Sequence, residues 1–285
     1  MPIFNNDGRG GLPLGRFAIV AILAIGGLVS YFASYTRNPT TGELQPVAMD
    51  AQQEIALGVQ SAPQMSAEMG GEVSAQRDPR AAKVSDLGQL LVRKSKAADS
   101  PYARSFNFHL LADEQTVNAF ALPGGQIFVT AALYDRLANE AQLAGVLGHE
   151  IGHVIHRHSS EQMRKGQLGQ TLVGAVAAGS GYDQTSTYAA ALASKMLTLK
   201  YGRDDELEAD AWGLETMEYA GFDPSQMLMV MDTLKSASGG GGGRVPNVLS
   251  THPDPDARIR RITAYLKKKF PNGVAGDLSG GAPLR

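Results

Sequence analysis

Four of the six histidines fall within GHEIGHVIHRH, residues 148–158, with a glutamate directly after the first of them. On a helix, His149 and His153 are four residues apart, so their imidazoles project from one face about 6 Å apart and can converge on one divalent ion. Zinc accepts such a pair, with bonds of about 2 Å to each nitrogen. Glu150 points too far round to ligate easily but can reach a water held at the ion, which is the place of a general base. A catalytic zinc needs a third protein ligand and one open position. His156, about 10.5 Å from His149 along a helix axis, is too distant, and His158 is farther still. A third ligand three turns on is also excluded, because the positions where that pattern needs Gly and His hold His156 and Ser159.

The third ligand must therefore come from elsewhere, and RDDELEADAWG, residues 203–213, offers the best candidate. Glu206 and Asp210 share one helical face with the small residues Ala209 and Gly213, which would let this helix press against the histidine helix. Glu206 is then expected to ligate and Asp210 to accept a hydrogen bond from a ligand imidazole. Glu208 is expected in solvent. The competing readings are an ordinary helix with surface histidines and an acidic helix start favoured by its dipole.

The elements that must hold these groups are legible in outline. Asn139, with Glu140 and Gln142 behind it, caps a helix from Glu140 to about Arg157 whose Leu143, Val146, Leu147, Ile151 and Val154 face a core. Residues 52–96 read as helical, with a break near GGEVSAQRDP. Phe106, Phe108 and Leu110 alternate as in a strand, and Pro123-Gly124-Gly125 turns a hairpin that leads to a Thr130 cap. Residues 166–181, apolar but glycine-rich, read as a packed helix or flap. A helix from Asp204 or Asp205 should stop at Gly221, another opens at Asp223-Pro224, and a last one starts at Asp254-Pro255. Lys267–Lys269 read as a solvated helix end.

The chain's 26 basic and 28 acidic residues leave no electrostatic footprint for nucleic acid, and the absence of cysteine excludes disulfides, thiolate nucleophiles and Cys-held zinc. Its hydrophobic share, 43%, supports a sizeable core. Phe17 to Thr36 runs without a formal charge, about the length that crosses a bilayer. Arg9 and Arg16 precede it and Tyr31, Phe32 and Tyr35 lie near its far end, predicting an anchor with a cytoplasmic N-terminus; a cleaved signal peptide is the alternative. The expected organisation is an anchor over 1–36, a linker over 37–50, a catalytic domain over 51–270 and a flexible tail over 271–285.

NAFALPGGQIFVT, LGHEIGHVIHRHS, RDDELEAD and STHPDPDARI occur in this order, and with them the chain resembles the zinc endopeptidases of the Ste-type CAAX protease and HtpX group, peptidase family 48 of the metallopeptidases. The resemblance covers most of residues 50–270. It implies a gluzincin-type zincin metallopeptidase domain, α+β and mostly helical, with a small antiparallel sheet. His149, His153 and Glu206 would hold one Zn2+, Glu150 would be the base and Asp210 would support a ligand. His252 would lie near the metal, either assisting the reacting oxygen or closing the open position as a lid, with the glycine run 239–243 as its mobile segment. Arg258 would contact substrate or the supporting carboxylates. A strand at Val117–Ala121, with Asn118, Ala119 and Phe120, would bind extended polypeptide as an added strand. With one membrane segment the chain departs from multispanning members and looks like the periplasmic quality-control branch. The expected protein is thus a single-pass protease of the bacterial inner membrane, its catalytic domain periplasmic, that hydrolyses misfolded or membrane-associated proteins. The alternatives are an envelope chaperone or assembly factor with a plugged zinc site, a CAAX-processing enzyme, and a nonenzymatic metal-binding module.

Overall fold

The computed structural model describes residues 14–180, 201–237, 248–274 and 276–284. The glycine run 239–243 and the charged residues before position 14 lie outside them. Helix α1, Leu14–Ala33, is followed by a two-stranded hairpin, β1 (Tyr35–Arg37) and β2 (Leu44–Pro46). Tyr35 and Thr36, expected to continue the apolar helix, instead pair with Pro46 and Gln45, which ends α1 at Ala33. Among the described residues no helix is long and apolar enough to cross a membrane. The stretch 37–50, read as a linker from its Pro and Gly content, is packed rather than loose. The buried Asn38 donates to the Ile155 carbonyl (2.8 Å) and Gln45 to that of His156 (2.7 Å).

Next come α2 (Ala51–Glu68) and α3 (Pro79–Lys94). The strands β3 (Asn107–Leu111), β4 (Ala119–Leu122) and β5 (Gln126–Thr130) form one sheet in the order β3-β5-β4. The sheet is mixed, not antiparallel as expected: β4 and β5 make the hairpin, while β3 runs parallel to β5. The reason lies in the connection after Leu111, which carries the chain past the central position to the far edge, so that the wholly buried β5 returns between β3 and β4 with a partner on each side. In the hairpin turn Gly124 has φ +78°, and a side chain there would strike the backbone of Ile55.

Thr130 caps the short α4 (Ala131–Tyr134), and Asn139 caps α5 (Glu140–Ile155) by accepting from Gln142 N. Every residue of α5 from Ala141 onward is buried between the sheet and the later helices. α6 (His158–Ser180) leaves it at an angle and runs beside α1, with Arg164 donating to Ser30 and Ser34 and Gly27 against Thr171. α7 (Arg203–Tyr219) stops at Ala220, with Gly221 at φ +85°. α8 (Gln226–Ala237), α9 (Val248–Thr251) and α10 (Pro255–Lys269) complete the domain. Beyond α10 the segment read as a flexible tail is tied down. Gly280 O accepts from Ala141 N and Ala282 O from Glu140 N, while Leu284 N donates to Ala138 O.

Two features of the core position the site. First, α5 crosses α7 through Gly148, Gly152, Ala209 and Gly213. A side-chain carbon on Gly152 would stand 2.9 Å from Ala209 Cα, and one on Gly148 would stand 3.1 Å from Gly213 Cα. The backbones therefore approach as only small residues permit. Second, α5 is ended by Arg157, at φ +60°. This conformation, costly for a side-chain-bearing residue, is held by a buried ion pair of Arg157 with Glu54 (2.9 Å) and a bond to Met49 O (2.6 Å). Tyr102 donates its hydroxyl to the same Glu54.

Candidate metal centre

His149 and His153, one turn apart on α5, bring their Nε2 atoms to 3.0 Å. The close α5–α7 crossing places Glu206 beneath them, with Oε1 3.5 Å from His153 Nε2 and Oε2 3.6 Å from His149 Nε2. His252, just after α9, adds a third imidazole: its Nδ1 is 3.3 Å from His149 Nε2 and 3.0 Å from Glu206 Oε1. All four residues are buried.

These separations fit a metal better than a hydrogen-bond network. Four ligands at about 2 Å from a tetrahedral ion stand about 3.3 Å from one another. His149 Nδ1 lies 2.9 Å from the Asp210 carboxylate and 3.2 Å from Arg258 Nη2, which has its shorter bond, 2.6 Å, to that same carboxylate; a proton on Nδ1 donated to Asp210 leaves the Nε2 lone pair bare. That lone pair faces a second imidazole nitrogen and a carboxylate, an arrangement of acceptors that a shared cation satisfies. Glu150 Oε1 stands 3.8 Å from His252 Nε2; its Oε2, and His252 Nε2 itself, are buried without a hydrogen-bond partner among the described residues.

Arg258, in the first turn of α10, closes the back of the site. It grips Asp210 with two nitrogens (2.6 and 2.8 Å) and reaches Glu206 Oε2 with Nη1 (2.9 Å). Burial works to raise Glu206, yet the charges of His252 and Arg258 hold it well below the usual carboxylate range. Asp210 is lowered in the same way, burial being outweighed by Arg258. Glu150 behaves oppositely: complete burial pushes its carboxyl up against the pull of His252 and His149, as suits a group that must accept a proton.

The expected site residues are thus mostly brought together. Asn118 and Ala119 are buried and Phe120 stacks on Phe128; β4 is one of the two edge strands of its sheet. Ala119 joins Val146, Met227 and Met231 in an apolar recess that opens on Glu150 and His252. Three residues were passed over in the sequence. Tyr201 stacks on His153, with ring centres 4.0 Å apart, and bonds Ser159 through its hydroxyl (3.0 Å). His158 Nδ1 lies 2.8 Å from His153 Nδ1. Glu208, expected in solvent, bonds His158 Nε2 (3.1 Å) and faces His156 Nδ1 (3.4 Å), and these two imidazoles lower its pKa to about 2. Spacing alone gives no signal for His158, because the left-handed Arg157 breaks the helical register between His153 and His158, and none for Tyr201 and Glu208, whose partners lie on a distant segment.

Comparison with known proteins agrees with this geometry. The chain is 29% identical over 251 residues to the beta-barrel assembly-enhancing protease of Escherichia coli K12, covering 85% of this chain and 50% of that protein. It is 29% identical over 250 residues to the mitochondrial metalloendopeptidase OMA1 of Schizosaccharomyces pombe, covering 87% and 71%. The Yersinia pestis beta-barrel assembly-enhancing protease is 31% identical over 206 residues, 68% of this chain and 41% of that protein. The chain thus spans about half the length or less of these bacterial relatives. The family model for peptidase family M48 matches residues 79–266, a span that holds the histidine helix, the carboxylate helix and the segment bearing His252 and Arg258, and the chain belongs to that family.

Proposed function

We propose that the protein is a membrane-anchored zinc endopeptidase. The observation that carries this reading is the convergence of His149, His153 and Glu206 on one point, with an unpaired Glu150 oxygen beside it. These three residues would hold the zinc, which when bound polarises the scissile carbonyl and acidifies the attacking water. Glu150 takes the proton from that water and passes it to the leaving amine. Asp210, receiving the Nδ1 proton of His149 and itself held by Arg258, keeps the imidazole turned toward the ion. Asn118, just before the edge strand β4, and Ala119 and Phe120 within it would bind extended polypeptide by strand addition.

His252 occupies the fourth direction and so describes a closed, resting site; displaced, its Nε2 would donate to the developing oxyanion. The same contact favours a second reading, an assembly factor whose zinc site stays plugged. Attachment through α1 is supported by the exposure of Ile22 (67%), Val29 (63%) and Phe32 (65%); with Arg9 and Arg16 ahead of the apolar run, the N-terminus would be cytoplasmic and the catalytic domain periplasmic. The substrates would be misfolded or membrane-associated envelope proteins, a reading that the bacterial relatives' name, beta-barrel assembly-enhancing protease, supports.

The test is cleavage of an unfolded polypeptide by the full chain. Glu150→Gln should abolish it while zinc stays near one per chain; His252→Ala should raise it where the closed position limits turnover and lower it where the oxyanion contact does. Full activity in Glu150→Gln refutes the enzyme reading; cleavage absent from the natural protein but present in His252→Ala favours the plugged assembly factor, and cleavage in neither refutes both.

A further inference from the structure

Behind the proposed metal ligand His153 stands a second imidazole, His158, and behind that a carboxylate, Glu208. We infer that His158, backed by Glu208, is a positioning residue that fixes the tautomer and ring orientation of His153. The inference rests on the zinc reading of the site, and proton bookkeeping carries it. If His153 offers Nε2 to the ion, its proton sits on Nδ1, 2.8 Å from His158 Nδ1. Only an unprotonated His158 Nδ1 can accept it. The His158 proton is then on Nε2, which is where Glu208 Oε2 receives it at 3.1 Å. Each atom in the relay has one role that satisfies its neighbours.

The fold is built to make this contact. His158 follows His153 by five residues, which on a continuous helix would put it well round the axis. The left-handed Arg157, locked to Glu54 and Met49, reverses the chain and returns the imidazole to His153. His158 is 1% exposed, whereas the Glu208 side chain is 43% exposed, so the relay starts at a solvated charge and ends at the buried ligand. His149 is served by Asp210 in the same manner, so both ligand histidines would have their second nitrogens assigned.

His156 Nδ1, His158 Nε2 and Glu208 also lie close enough to take a cation of their own. The same bookkeeping opposes it: a cation on His158 Nε2 would move the proton to Nδ1, where it would face the His153 proton at 2.8 Å.

The test uses the full chain, metal-stripped and titrated with zinc against a chromophoric chelator, and a long-range 1H–15N spectrum of the zinc-loaded histidine rings. The natural protein should take one zinc and show His158 as the Nε2–H tautomer. Glu208→Leu, at a half-exposed helical position, should keep the stoichiometry and lose about tenfold in zinc affinity; His158→Leu should lose about 10–100-fold and His158→Gln, whose amide can still accept from His153 and donate to Glu208, should recover most of it. Unchanged affinity in Glu208→Leu and His158→Leu, a His158 Nδ1–H tautomer, or a second zinc lost in His156→Ala each overturns the inference while leaving the peptidase reading intact. No zinc bound by the natural protein overturns that reading, and this inference with it.

Discussion

Replacing Gly152 by alanine tests whether the approach of two helices builds the metal site. The new methyl carbon would lie 2.9 Å from Ala209 Cα, 3.0 Å from Ala209 O and 3.1 Å from Trp212 Cβ. Carbon atoms rest at about 3.5–4.0 Å, so α5 and α7 must part by about 0.7 Å. Overpacking of this kind costs about 1–3 kcal/mol, and the better helix propensity of alanine returns up to about 1 kcal/mol. The metal-free protein should therefore melt about 3–6 °C lower. The larger effect is on the site: His149 and His153 ride on α5 and Glu206 on α7, and metal–ligand bonds tolerate only about 0.2 Å of error. Zinc affinity should fall at least about tenfold, read by chelator competition. Gly166→Ala on α6, where a methyl meets nothing within 4 Å, is the control and should change neither quantity for the worse. A Gly152→Ala protein that melts at or above the natural temperature and binds zinc within about twofold of it would refute the reasoning.

Arg157→Met leaves Glu54 buried without its cation and should cost about 3–5 kcal/mol by urea denaturation, with Glu54→Leu in the same chain recovering part of the loss. Because Glu206 and Asp210 ionise below the ordinary range, the stability they contribute is complete above about pH 5 and is lost as pH falls through the ordinary carboxylate range and on through their lowered values. The urea midpoint of the metal-free protein should accordingly drop between about pH 5 and pH 3, and less so in Asp210→Asn; a midpoint that rises on acidification would contradict this sign. Zinc at a hundred times its dissociation constant should add about 2.7 kcal/mol to stability, reversed by a chelator, as calorimetry of the two forms would show.

The histidine helix could be read from the sequence because its signals are local. Asn139 caps it, its apolar residues recur at helical spacing, and His149 and His153 are related by one turn. The partner helix was legible for the same reason, with Glu206 and Asp210 on one face beside Ala209 and Gly213. What stayed hidden depends on contacts between distant segments. Nothing local in Tyr35–Pro46 shows that its side chains bond the carbonyls ending α5. The parallel pairing of β3 with β5 follows from a crossover that alternation along either strand does not encode. His158 reads as too far along a continuous helix to matter and Glu208 as solvated, and a single left-handed residue brings His158 back against His153 and within reach of Glu208.

The segment after α10 has a practical consequence. Its carbonyls at Gly280 and Ala282 receive the amide protons of Ala141 and Glu140, and its own Ala282 amide binds the Glu140 carboxylate (2.9 Å). A variant shortened after Lys269 would therefore strip acceptors from the opening turn of the very rod that bears both histidines, and an affinity tag fused behind Leu284 would pull on that same turn. Purification handles are better placed elsewhere, and C-terminal trimming during preparation would show itself as fraying at Glu140 before any change near the ion.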